Sequence, residues 1–139
     1  MIGRGSGFFF FLSVLVSAFA SAETESYQFY GRHLVAQYYE CDGPALSDTE
    51  QLSAAMRRAV IASGARLLGS ADHRFDGSGY SMVLLLSESH ASVHTYPEHG
   101  ACFVDLFTCG QKCSAEKFDE VLREYLKPQR IESRIIVRD

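Results

Sequence analysis

The sequence has no cluster of basic residues. Its 13 lysines and arginines are scattered among 17 acidic residues, for a formal net charge of −4, which excludes the positive footprint of a nucleic-acid-binding protein. It has no C-x-x-C pair: the cysteines are Cys41, Cys102, Cys109 and Cys113, and the spacing Cys109-x3-Cys113 is not the redox motif. No apolar run reaches the ~20 residues of a comfortable bilayer span. There is no internal repeat, low-complexity tract or interdomain linker, and the central stretch holds neither a glycine-rich phosphate cradle nor a lysine suited to carry pyridoxal phosphate.

What remains is a chain of 139 residues, 47% hydrophobic, enough for one domain with a modest core. Domains of this size often complete their burial by association, so a dimer is expected. At the start, Arg4 precedes the apolar run Phe8 to Phe19, and Ala20-Ser21-Ala22 has the A-x-A cleavage form; residues 1–22 read as a secretory signal peptide and residues 23–139 as the domain. Export would permit two disulfides among four cysteines, whereas a cytosolic chain would keep them reduced.

Along the domain, Phe29 to Glu40 mixes aromatic and β-branched residues and reads as a strand, ended by turn chemistry at Asp42-Gly43-Pro44. Ser47 with Glu50 has the capping-box form. Leu52, Ala55, Met56, Ala59 and Val60 then recur at helical spacing, and Ser63-Gly64 closes that helix. Ala65 to Phe75 reads as a strand, Asp76 to Gly79 as a turn, and Tyr80 to Ser87 as a strand. Its unbroken apolar run Met82 to Leu86 is the pattern expected where both faces are covered. Ala91 to Tyr96 is short and extended, Pro97 to Gly100 turns, and Ala101 to Thr108 is a further strand ended at Gly110. Ser114 can cap a helix whose apolar face is Phe118, Val121, Leu122 and Tyr125; after Pro128, Ile131 to Arg138 makes a last strand. Helices segregated on one face of a mainly antiparallel sheet give an α+β two-layer sandwich.

Leu85 to Gly110 concentrates the chemistry: three of five histidines, two cysteines and the Glu88-Ser89 bond. Here Glu88-Ser89-His90, His94-Thr95, Pro97-Glu98 and Asp105-x-Phe107-Thr108-Cys109-Gly110 resemble the small prokaryotic S-adenosylmethionine decarboxylases, which are self-processing and pyruvoyl-dependent. Gly31-Arg32-His33-Leu34, Glu40-Cys41-Asp42 and His73-Arg74-Phe75 are similar too. The resemblance implies autocatalytic cleavage between Glu88 and Ser89 through a nitrogen-to-oxygen acyl shift, with Ser89 becoming a pyruvoyl group whose carbonyl takes the substrate amine as a Schiff base. Decarboxylation of an α-amino acid needs such an electron sink. By the same resemblance His94 is the processing base, Ser81 assists it, and Cys109 later protonates the substrate α-carbon. Thiols titrate near pH ~8.5 and still hold their proton at neutrality. Phe75, Tyr96 and Glu98 match positions that hold the adenosyl group. The family usually has tryptophan where this chain, which has none, carries Tyr96.

The activity implied is decarboxylation of S-adenosylmethionine to supply the aminopropyl donor for spermidine synthesis. It would be carried out by a homodimer of processed αβ units in which Ser81 and His94 face Ser89 and Cys109 of the other copy, with no metal and no pyridoxal phosphate. A pyruvoyl decarboxylase of a basic amino acid, ornithine or arginine, is the alternative that the Tyr96 change and the signal-like head favour. A non-processed, non-catalytic partner subunit is a third reading, opposed by the intact Ser89, His94 and Cys109. The signal-like head points to export and the resemblance to the cytoplasm. His90, His94, His99 and Glu98 suggest a metal site only in isolation, without a supporting ligand pattern; His90 reads as a neighbour that shapes the cleavage site. Cys41, Cys102 and Cys113 read as structural.

Overall fold

The computed structural model describes residues 29–109 and 112–139; the signal-like head and Gly110 lie outside them. The strands are β1 (Gly31–Tyr39), β2 (Leu67–Arg74), β3 (Tyr80–Leu86), β4 (Ser89–Tyr96), β5 (Ala101–Thr108) and β6 (Arg130–Arg138). The helices are α1 (Gly43–Ser47), α2 (Thr49–Ser63) and α3 (Ala115–Leu126). The strands form one sheet in the order β2-β3-β4-β5-β1-β6, and each neighbouring pair is antiparallel.

Alternation along the strands decides where the core lies. Leu34, Ala36 and Tyr38 of β1, Met82, Leu84 and Leu86 of β3, and Cys102, Val104 and Leu106 of β5 are buried. They meet Leu52, Met56 and Val60 of α2 and Phe118, Leu122 and Leu126 of α3. The Tyr38 hydroxyl donates to Asp119 of α3, and Arg123 lies 2.5 Å from that carboxylate. Burial, reinforced by the Asp119 hydrogen bond, pushes the Tyr38 phenol well above its usual range, so it stays a neutral donor tying helix to sheet. At the surface Arg32 of β1 pairs with Glu116 of α3 at 2.9 Å.

The expected α+β sandwich is what the chain adopts, with local differences. Asp42-Gly43-Pro44 opens α1 rather than a simple turn: Asp42 accepts from the Ala45 N–H, and Pro44 sits in the first turn, where its missing donor costs nothing. Consequently α2 is capped not by Ser47, which ends α1, but by Asp48, which accepts from the Gln51 N–H at 3.0 Å. β4 begins at Ser89, two residues earlier than expected, leaving Ser87-Glu88 as a two-residue hairpin between paired Leu86 and Ser89.

The larger difference concerns the run Met82 to Leu86. Met82, Leu84 and Leu86 are buried, but Val83 is 44% and Leu85 56% exposed, so helices cover one face and leave the other open. Phe103, Tyr96 and Ile136 add to that open face. Covering a valine or leucine is worth ~1.5–3 kcal/mol each, so this open face, with exposed apolar side chains set around the polar residues Ser92 and Asp105, has the character of an interaction surface.

Candidate active site

The site residues fall at opposite ends of the open sheet. One end is the β3–β4 hairpin. Arg66, just before β2, grips it with its backbone: its carbonyl accepts from the Ser87 N–H at 2.9 Å, and its N–H donates to the Glu88 carboxylate at 3.0 Å. From the other side the Cys109 N–H donates to the Glu88 carbonyl at 2.9 Å. Ser89 Oγ and Cys109 Sγ are 3.6 Å apart, within hydrogen-bond reach for sulfur. Ser89 has φ +147°, a sparsely populated backbone state for a residue with a Cβ, worth on the order of 1–3 kcal/mol of strain. Pairing with Leu86 on one side and Thr108 on the other holds it there.

Around this end His33, His90 and Phe107 form an aromatic group. His33 and His90 meet edge-on with centroids 6.3 Å apart, and each contacts Phe107. Glycine at position 31 leaves room for this packing, since a Cβ there would lie 2.3 Å from the Phe107 ring and push it aside. His33 Nε2 reaches Asp105 Oδ1 at 3.1 Å, and the Ser92 hydroxyl lies 3.5 Å from the other carboxylate oxygen. His90 thus neighbours the Glu88–Ser89 bond in sequence but packs over the sheet.

The other end carries Ser81 and His94, opposite one another on β3 and β4, with Ser81 Oγ 2.8 Å from His94 Nδ1. His73 of β2 is the next residue across, paired with Ser81, and its ring meets Phe75 edge-on at 4.6 Å. The turn from Phe75 is closed by its N–H donating to the Gly79 carbonyl at 2.8 Å. Tyr96 ends β4, and Glu98 stands exposed in the 3-10 turn Pro97–His99. Five positions of extended strand separate Ser89 from His94, about 16 Å at ~3.3 Å per residue. His90 and His94, four positions apart on one face, are separated by about 13 Å on the same measure, too far to share one ion.

One chain therefore brings Ser89 together with Cys109 and Ser81 together with His94, but not the two pairs with each other. A shallow groove of about 530 Å³ over β5, β1 and β6, walled by Gln37, Phe103, Asp105, Glu132 and Arg134, lies away from the Ser89 end. Cys41, Cys102 and Cys109 form no disulfide. Cys41 is hydrogen-bonded to Cys102, which lowers the Cys41 pKa, while that bond and burial raise the pKa of Cys102.

Residues 32–139 match the family described as S-adenosylmethionine decarboxylase. The chain belongs to the S-adenosylmethionine decarboxylase family. Among curated relatives, the S-adenosylmethionine decarboxylase proenzymes of Thermosipho africanus and Thermotoga maritima are each 44% identical over 101 residues, covering 73% of this chain and 78% of theirs. Among solved structures, the adenosylmethionine decarboxylase of Aquifex aeolicus superposes with a TM-score of 0.71 at 31% identity, over 76% of this chain and 88% of that one. That fold is the antiparallel sheet and helical layer described above.

Sequence reasoning passed over three contributors. The Arg66 backbone and the Cys109 N–H carry no side-chain signal. His33 and Asp105 stand in the quoted motifs, but their grouping with Ser92 across three strands was not read from them.

Proposed function

We propose that the chain is an S-adenosylmethionine decarboxylase proenzyme that cleaves itself between Glu88 and Ser89 and turns Ser89 into a pyruvoyl group. The observation that carries this reading is the hairpin itself, where the Glu88 carbonyl accepts the Cys109 N–H at 2.9 Å next to a Ser89 strained at φ +147°. The Ser89 hydroxyl attacks the Glu88 carbonyl carbon and the Glu88–Ser89 C–N bond breaks, leaving an ester and a free Ser89 amine. The Cys109 N–H is aimed at the oxygen on which negative charge develops during that attack, the arrangement of an oxyanion donor, and the attack relieves backbone strain.

A base then removes the Ser89 α-proton and the ester C–O bond breaks, giving the Glu88 carboxylate and a dehydroalanine. Tautomerisation and addition of one water release ammonia and leave the keto group. Once present, that group withdraws electrons from the substrate as carbon dioxide departs. Cys109, 3.6 Å from Ser89 Oγ, is placed to return a proton to the substrate carbon. His94 is the processing base, with Ser81 holding its Nδ1 and leaving Nε2 to act.

Because His94 lies about 16 Å along β4 from Ser89 in its own chain, the base belongs to a second copy. Two open faces packed together with their strands running in opposed directions would set Ser81 and His94 of one copy over Ser89 and Cys109 of the other, and would cover Val83 and Leu85. Phe75, Tyr96 and Glu98 at that same end then hold the adenosyl group. Tyrosine keeps a flat π-face, and no feature of the site favours ornithine or arginine over a nucleoside. Carbon dioxide release from carboxyl-labelled S-adenosylmethionine, ornithine and arginine tests the reading. Turnover is expected with the first alone, and turnover of a basic amino acid in its place would overturn it.

A further inference from the structure

Two rings assigned to the nucleoside are exposed, Phe75 at 53% and Tyr96 at 39%. An exposed ring that swings freely must be ordered when a base stacks on it, and that ordering subtracts from affinity. Tyr96 has a neighbour suited to prevent this. Phe103 lies directly opposite His94 on β5, and Tyr96 is the next residue of β4 on the same open face. The Tyr96 and Phe103 rings meet with centroids 5.4 Å apart and planes at 74°, an edge-to-face contact. A perpendicular neighbour takes up at most one face of Tyr96 and leaves the other for a base. Phe103 itself is 40% exposed and so does not serve the helix-side core.

We infer that Phe103 is a positioning residue for nucleoside recognition. It locks the Tyr96 ring, and the two rings together form a wider aromatic wall than tyrosine alone. The inference rests on the reading of Tyr96 as a stacking partner and adds the residue that compensates for the smaller ring. His94, although adjacent to Phe103, is held independently through its bond to Ser81, so loss of the Phe103 ring should spare self-cleavage.

The experiment compares wild type with Phe103→Ala, Phe103→Leu, Tyr96→Trp and the double variant Tyr96→Trp/Phe103→Ala, each taken to full cleavage as judged by mass. Phe103→Ala is expected to raise KM for S-adenosylmethionine about two- to tenfold with kcat unchanged. Phe103→Leu, which restores most of the bulk without a ring, should behave alike and covers the case in which the alanine variant folds poorly. Tyr96→Trp should return KM of the double variant to within about twofold of wild type, because the larger ring supplies the wall alone. Equilibrium dialysis of adenosine reads the same wall without chemistry, and its dissociation constant should move in parallel. An unchanged KM and adenosine affinity in both Phe103 variants would overturn the inference, as would a KM rise that Tyr96→Trp does not rescue. Loss of cleavage and of dimer on sedimentation, with affinity intact, would make Phe103 an interface residue and overturn it equally. Failure of wild type to turn over S-adenosylmethionine is the separate failure of the proposed function, and adenosine dialysis would still decide the role of Phe103.

Discussion

The two ends of the open sheet are built on different principles. At the Ser89 end the chemistry is prepared by backbone: a positive φ, an N–H aimed at a carbonyl, and a two-residue hairpin clamped by Arg66 and Cys109. At the His94 end the backbone is regular strand, and the preparation lies in side chains, Ser81 against His94, His73 against Phe75 and Phe103 against Tyr96. On the proposed function the first end holds the bond to be cut and the second holds the base that cuts it. Each end is on that reading half of a site, and the open face between them is the surface that would join halves from two copies.

Substitutions can break this comparison at either end. Ser89→Ala removes the attacking hydroxyl, so cleavage and decarboxylation should both be lost completely, by gel and by carbon dioxide release. His94→Ala should slow cleavage by about 10²- to 10⁴-fold, the usual worth of a positioned base. Mixing His94→Ala chains with Ser89→Ala chains sharpens the point. The intact Ser89 of the first would meet the intact His94 of the second, so His94→Ala chains should be cut in the mixture; if mixing leaves them uncut, the base does not act across copies.

Cys109→Ala keeps the N–H that faces the Glu88 carbonyl and loses only the thiol. Cleavage should persist, while turnover falls about 10²-fold or more and the product α-carbon is misprotonated, as read by product mass. Normal turnover would remove Cys109 from the acid role. The smallest effect lies far from both ends. Tyr38→Phe takes one donor from Asp119, and on an uncleaved Ser89→Ala background it should cost about 1–2 kcal/mol in urea unfolding. The folded-state pKa of Tyr38 is raised above its unfolded value of ~10, chiefly by burial. Its contribution is therefore fully present below pH ~10 and is lost as pH rises above that towards the folded pKa. The phenylalanine variant should lack this alkaline loss.

Much of the fold was legible because each element announces itself locally. The stripe Leu52, Ala55, Met56, Ala59 and Val60 is a helix face wherever it is placed, and Ser114 before Phe118 caps α3 as expected. Where competing local signals coincided the reading slipped. Asp42-Gly43-Pro44 suits a turn and a helix start equally, and Asp48 rather than Ser47 wins the cap because α1 consumes Ser47. The run Met82 to Leu86 announces apolar faces on both sides of β3, yet nothing in one chain says what covers Val83 and Leu85. Motif order singled out Ser89, His94 and Cys109, but it did not show their separation: Ser89 and His94 are near in sequence and far in space because the intervening chain is fully extended. The strain at Ser89 and the Cys109 N–H are backbone properties, which no side chain records.

The central claim is that the Glu88–Ser89 bond is consumed to make the catalytic group, and intact mass of the purified protein tests it most directly. The account predicts two chains, one ending at Glu88 and one beginning at position 89 and lighter by one ammonia than a chain beginning with serine. A single full-length chain that persists through prolonged incubation would contradict it.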